Sequence, residues 1–382
     1  MATLNRIVAG ILLLAATVGN AAAGDLAQVE VPEQVREEAR GSYIFVFSDA
    51  VPEVQVESHA RTLARAEGAE PRHVFRHAIR GFSASVPPRV AARIAAKKGV
   101  AYYESNGVAY IVAPLESSGR GGGKKTGGMA EPPQETPWGV TRVGGGVSGA
   151  GKHAWIIDTG IDLDHPDLNV GSGANFVRGR SADDGNGHGT HVAGTVAAID
   201  NDIDVVGVAA GAMVHPVRVL DNNGFGTIDA VVAGVDYVAG HAKAGDGANM
   251  SLGASGHFQS LHDAVSAAAD KGVRFAIAAG NASTSALGSE PAHVDHANVY
   301  TVSAIDSSDF FASFSNYGNP PVDYAAPGVG ILSTRRGGGV TTMSGTSMAA
   351  PHVCGLLLLG DLNTSGFASG DPDSNPDPIA HR

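Results

Sequence analysis

Three short segments carry side chains able to do acyl-transfer chemistry. Asp158-Thr159-Gly160 follows the apolar run Ala154-Trp155-Ile156-Ile157, which puts a carboxylate where a strand leaves the core. A buried carboxylate there needs a cationic or hydrogen-bonding partner. Gly185-Asn186-Gly187-His188-Gly189-Thr190-His191 runs into the apolar stretch Val192 to Ala198, so His188 stands at the start of a helix. The glycines beside it let the backbone approach another element closely. Ser344-Gly345-Thr346-Ser347-Met348-Ala349-Ala350-Pro351-His352 opens a helix that ends in Leu356 to Leu359. Ser347 lies at its N-terminus, where free amides and the positive dipole end stabilise charge developing on a bound acyl group. Singly, each motif has a plainer reading: a turn aspartate, a histidine packed on its own helix, an N-cap serine. His188 with His191 also suggests a zinc pair, but no HExxH glutamate follows and no thiolate is near. Together, an orienting carboxylate, a general base and a hydroxyl nucleophile in the order Asp, His, Ser form one convergent solution to acyl transfer.

The elements that must position these groups are legible as apolar runs. Strands are expected at His153 to Ile157, Met213 to Val219, Ala248 to Leu252, Val273 to Ala278 and Val299 to Ala304. Helices are expected at His191 to Ile199, Ile228 to His241, Ser260 to Asp270 and Met348 to Leu359. This alternation predicts an α/β fold with a doubly wound, mostly parallel sheet, whose functional groups collect past the carboxyl ends of the strands. Before it, residues 24–112 read as a small α+β domain. Tyr43 to Phe47 is a buried strand, Glu53 to Glu67 a helix, Phe82 to Val86 a strand with one exposed face, Arg89 to Lys98 a helix, and Val100 to Tyr103 a last strand. Residues 113–133, rich in Gly and Pro, read as a flexible, protease-accessible linker. Residues 1–23 read as a signal peptide: a short basic n-region, an apolar run from Ile7 to Val18, and Ala21-Ala22-Ala23 for cleavage. An uncleaved anchor is the rival reading of that run.

The 382 residues carry a net charge of -12, unevenly spread. Residues 1–133 hold 15 Lys+Arg against 13 Asp+Glu, and residues 134–382 hold 11 against 25. The acidic second part argues against nucleic acid as partner and makes cation binding plausible. Cys354 is the single cysteine, so no intramolecular disulfide can form. It falls seven residues after Ser347 on the same helix face, as a small buried hydrophobe.

Over residues 134–360 the sequence resembles the subtilisin-like serine proteases, the subtilases. Asp158-Thr159-Gly160, His188-Gly189-Thr190-His191 and Gly345-Thr346-Ser347-Met348-Ala349 match that family's three signatures. The resemblance implies a serine endopeptidase with Asp158, His188 and Ser347 as triad. Asn281, after Phe275 to Gly280, is implied as the oxyanion-hole side chain; it also heads a glycosylation sequon, Asn281-Ala282-Ser283, and the oxyanion role is preferred. It further implies that Ser251, Leu252 and Gly253 form one edge of the substrate cleft and Ala278, Ala279 and Gly280 the other.

Residues 43–112, with Gly81-Phe82-Ser83-Ala84, resemble the subtilase propeptide, implying an intramolecular inhibitor and folding chaperone; a permanent accessory domain is the alternative. Gln134 to Val140 resembles the start of mature subtilisins. By that match, Gln134, Asp167, Asn201 and the carbonyls of Ile199, Ile203 and Val205 would bind Ca²⁺, with Asp323 at a second, weaker site. The catalytic domain is expected to span 134–366, and 367–382 to be a disordered acidic tail. Within it Asp371 to Asp377 imitates an EF-hand loop but has Pro376 at the glycine position. Only 35 residues follow Ser347, so a final buttressing helix is expected to be missing. The resulting expectation is a secreted, autoprocessed, monomeric enzyme that acts on proteins or peptides, with no nucleic-acid partner and no membrane contact after signal removal. A catalytically silent, binding-only homologue is the runner-up. A convertase selective for basic residues is disfavoured, because Ser251 to Ala254 and Ala276 to Gly280 contain no acid.

Overall fold

A computed structural model describes residues 30–112, 132–360 and 362–382. The expected signal peptide and linker residues 113–131 lie outside the described residues. The N-terminal domain is a four-stranded antiparallel sheet in the order β2-β3-β1-β4, with β1 Ser42–Phe47, β2 His73–Phe75, β3 Gly81–Ser85 and β4 Val100–Ser105. Helices α1 (Val56–Ala66) and α2 (Pro88–Ala95) cover one face. The unbroken apolar run of β1 has a physical cause. Successive side chains point to opposite faces of a strand. Phe45 and Phe47 therefore enter the domain's own core with Phe82, while Ile44 and Val46 join a second core shared with the domain that follows. The same docking corrects the expectation for β3: Ser83, on the face expected to be exposed, is fully buried.

The second domain, which follows from residue 132, is built on a ten-stranded sheet. Its main strands are β6 (His153–Asp158), β7 (Met213–Arg218), β9 (Gly247–Met250), β11 (Arg274–Ala278), β13 (Val299–Ile305) and β14 (Val322–Pro327). They lie in the order β14-β13-β11-β9-β6-β7 and are parallel throughout. Alternation again assigns the faces. Ala154, Ile156, Ala276 and Ala278 pack under α3 (His188–Ala197) and α6 (Thr346–Leu359); Trp155, Ile157, Phe275 and Ile277 pack under α4 (Ile228–His241) and α5 (Gln259–Asp270). Helix α6 is buried on almost every side, which explains its lack of any polar face. Cys354 lies fully buried within it, and burial pushes its thiol up to about 12. The expected strand Ala248 to Leu252 divides at Ser251, because β10 (Leu252–Ser255) leaves the parallel sheet to pair elsewhere. Among the described residues, no helix is long and apolar enough to cross a membrane.

The C-terminal segment differs from the disordered tail that was expected. Strands β15 (Asn363–Phe367) and β16 (Pro378–His381) form an antiparallel hairpin, and β16 joins the sheet edge beside β14. Ile379 and Ala380 are fully buried, and Asp377, also fully buried, accepts a hydrogen bond from Ser303 Oγ. The Asp371 carboxylate accepts from Asp373 N and Asp377 N, so this acidic loop is organised by its own backbone. Burial pushes the Asp377 carboxyl from 3.8 up to about 7. A carboxyl whose folded value is raised contributes fully below its unfolded value, and that contribution is lost as pH rises through the folded one. Asp377→Asn cannot ionise. In thermal melts it should therefore gain on the parent chain as pH rises from about 4 to about 7 and keep that gain above it. An offset independent of pH would contradict this account.

Candidate active site

Asp158 ends β6, His188 opens α3 and Ser347 stands in the first turn of α6. All three are buried. His188 Nδ1 lies 2.8 Å from Asp158 Oδ1 and 3.0 Å from Oδ2. Thr159 N also donates to Asp158 Oδ1, at 2.7 Å. Close approach of the two elements depends on Gly189: a Cβ there would stand 2.1 Å from the Gly160 carbonyl oxygen. Asp184, which the sequence did not single out, organises the loop ahead of α3. Its carboxylate accepts from Asn186 N, Gly187 N, Thr190 N and the hydroxyls of Thr159 and Thr190. The zinc reading finds no support: His191 turns Nε2 to the Ile331 carbonyl at 3.0 Å, while His188 faces Asp158. Burial pushes His191 down to about 3, as suits a neutral structural imidazole.

Pro351 lies inside α6 and has no N–H to bond the carbonyl four residues earlier, that of Ser347. Ser251 Oγ supplies the missing donor at 2.8 Å and in turn accepts from Asn249 Nδ2 at 2.9 Å. A proline that would weaken an ordinary helix thus ties the Ser347 backbone to Ser251 at the edge of the cleft. Across the cleft, Asn281 follows Gly280, whose φ of +110° suits glycine, and a Cβ on Gly280 would meet Asn316 Nδ2 at 2.2 Å. Asn281 Oδ1 accepts from Thr346 N and Thr346 Oγ1, each at 2.9 Å, which fixes which way its amide points.

The cleft is filled by the end of the N-terminal domain. Strand β5 (Val108–Ile111) lies antiparallel between β8 (Phe225–Thr227) and β10. Ile111 stands opposite Leu252, Tyr110 opposite Gly253 and Ala109 opposite Ala254. No local pattern in the sequence marks β5, whose apolar run is short and whose partners lie more than a hundred residues away. The next residue, Val112, places its carbonyl oxygen 3.1 Å from Ser347 Oγ and 3.4 Å from Asn281 Nδ2. Ser347 Oγ also lies 3.3 Å from the Ser251 carbonyl, and His188 Nε2 has no hydrogen-bond partner among the described residues. A Cβ on Gly253 would touch the Val112 side chain at 3.4 Å, so Gly253 walls the first side-chain pocket.

Charge complements the docking. Asp236 of α4 accepts from the backbone N–H groups of Arg76, His77 and Ala78. Glu104 of β4 accepts from Gln259 N and Ser260 N, capping α5 across the interface. The expected calcium residues also converge. Asn201 Nδ2 donates to Asp167 Oδ1 at 2.7 Å, Val205 N to Asp167 Oδ2 at 3.3 Å, and Gln134 Nε2 to the Ile199 carbonyl at 2.9 Å. Ile203 N donates to Asn201 Oδ1 at 2.7 Å. Asp323, placed apart from these, accepts from Thr301 N at 2.8 Å.

The family model described as "Subtilase family" matches residues 155–360, more than half of the chain. The chain belongs to the subtilase family. A second model, "Peptidase inhibitor I9", matches residues 42–111, the docked N-terminal domain. Subtilisin BL of Lederbergia lenta is 42% identical over 233 residues, covering 59% of this chain and 84% of that protein. The subtilisin-like serine protease AsES of Sarocladium strictum is 32% identical over 389 residues, covering 93% of this chain and 92% of its own. The crystal structure of a cold adapted subtilisin-like serine proteinase aligns with a TM-score of 0.57 at 36% identity, covering 64% of this chain and 98% of that one. This subtilase is a serine-type endopeptidase that carries its own inhibitor-type propeptide.

Proposed function

We propose that the chain is a secreted subtilase zymogen that hydrolyses peptide bonds through an acyl-enzyme and whose first substrate is its own Val112–Ala113 bond. The observation that carries this reading is the Val112 carbonyl, held between Ser347 Oγ and Asn281 Nδ2. His188 Nε2 takes the Ser347 proton as Oγ adds to the carbonyl carbon. Asp158 holds Nδ1–H and stabilises the imidazolium. Asn281 Nδ2 donates to the oxyanion, and the same imidazolium protonates the leaving amine. Water, deprotonated by His188, then releases the acid. The cleaved propeptide remains paired to β8 and β10, which makes it an inhibitor. The basis for secretion is the segment 1–23. Quenched expression of the precursor tests the first cut: the mass of the released propeptide should end at Val112. A terminus within 114–133 would overturn the assignment.

Calcium belongs to the same proposal. Asp167 is fully buried, its carboxylate partners are amides, and burial pushes it up to about 6, a setting that a cation would relieve. Asp167, Gln134, Asn201 and the carbonyls of Ile199, Ile203 and Val205 offer the all-oxygen set that suits Ca²⁺. With the ion at about a hundred times its Kd, chelation by EDTA should lower Tm by roughly 5–10 °C. Equal midpoints with and without EDTA would remove calcium from the reading.

A further inference from the structure

We propose that His257, Glu290 and His293 form a binding site for a divalent transition-metal ion of the zinc type. The site lies on the outer side of the substrate-cleft wall, away from the triad and from the calcium residues. His257 sits in the turn between β10 and α5. Glu290 ends the short strand β12 (Ser289–Glu290), whose partner is β10, and His293 follows three residues later. His257 Nδ1 lies 3.4 Å from Glu290 Oε2, and His293 Nδ1 lies 3.3 Å from the same oxygen. His293 Nε2 lies 3.2 Å from His257 Nδ1. One donor atom from each residue falls within 4.8 Å of the other two. Ligands about 2.0–2.1 Å from a tetrahedral zinc are separated by roughly 3.4 Å; with His293 offering Nε2, its spacing to His257 Nδ1 and that of His257 Nδ1 to Glu290 Oε2 match this, and the third pair lies within 4.8 Å.

Two further observations point to a cation. Glu290 is fully buried, and its Oε1 has no hydrogen-bond partner among the described residues. A buried carboxylate left half-satisfied costs free energy unless a charge or donor reaches it. The ring of His262, on the first turn of α5, lies 5.7 Å from that of His293 and 6.2 Å from that of His257. Its Nδ1 is buried without a partner among the described residues, a third nitrogen beside the cluster. His257 is exposed, which leaves an entry path and room for a water ligand. Two imidazoles and one carboxylate with an open position favour zinc-type ions over calcium.

The position gives the ion a consequence. Glu290 pairs with Ala254, and Ala254 pairs with Ala109 in the bound strand. A metal joining β12 to the turn after β10 would fasten the cleft wall opposite Ala109, three residues upstream of the Val112 carbonyl.

Full-length chain carrying Ser347→Ala, which protects the sample from digestion, is titrated with Co²⁺ and Zn²⁺ in calcium-containing buffer. One saturable equivalent is expected, with visible Co²⁺ bands of tetrahedral intensity that Zn²⁺ abolishes. His257→Ala, at an exposed turn position, should weaken uptake at least tenfold and remove the bands. Glu290→Gln should do the same, with circular dichroism reporting its fold. Absence of saturable uptake, or an equivalent that survives unchanged in His257→Ala, would overturn the proposal. The readout is binding, so it is independent of the triad assignment.

Discussion

Ser347→Ala should leave the precursor uncut and lower peptide hydrolysis by roughly 10⁶-fold, the scale set by subtilisin. The substitution removes one oxygen from a fully buried position and leaves α6 and the Ser251 bond to the Ser347 carbonyl in place. Folding should therefore survive, at a cost of about 1 kcal/mol for the lost hydroxyl contact. The Val112 carbonyl would still reach Asn281 Nδ2, but no nucleophile would face it. The comparison is made by gel and by hydrolysis of a chromogenic peptide, with precursor and variant expressed side by side. Release of a propeptide ending at Val112 from the variant would mean that another nucleophile, or another protease, makes the cut.

Asp158→Asn should cost about 10⁴ in kcat, about 5.5 kcal/mol of barrier, with KM nearly unchanged. The side chain would keep its shape, and its oxygen could still accept from Thr159 N. Its amide would then offer N–H to His188 Nδ1, forcing the ring proton onto Nε2, the atom that must receive the proton of Ser347. The change therefore acts through the tautomer rather than through binding. A loss of less than tenfold, or a loss carried by KM, would contradict the orienting role.

The proposed catalytic residues are legible in sequence because each sits in a segment whose neighbours report its place. Ile156 and Ile157 mark a strand on the way to Asp158, and the glycines flanking His188 mark a close approach that Gly189 makes against Gly160. Ile228–His241 matches the helix read from sequence. What stayed hidden depends on partners distant in the chain. Strand β5 is defined by β8 and β10, and no local periodicity reports an edge that a later segment completes. The hairpin β15–β16 reads as disordered in sequence because its acids look solvated, while Asp377 is buried against Ser303 from another strand. Asp184, Thr346 and Pro351 do their positioning through backbone groups, which composition cannot register. The cluster of His257, Glu290 and His293 was missed for the same reason as β5: its donors come from separate elements joined by a strand pair only two residues long.

Strand β5 occupies a gap one strand wide between β8 and β10. Neighbouring strands stand about 4.8 Å apart, so the gap admits a polypeptide only in extended form and only with both of its backbone edges free. A helix is too thick for it, and a strand already paired within a sheet has at least one edge taken. Which bonds are cut in a folded protein will then depend less on the side chain at the scissile position than on the free energy needed to open four or so consecutive residues. Against native proteins, this protease should act as a gauge of local unfolding, nicking frayed loops and termini while leaving adjacent core segments of similar sequence whole.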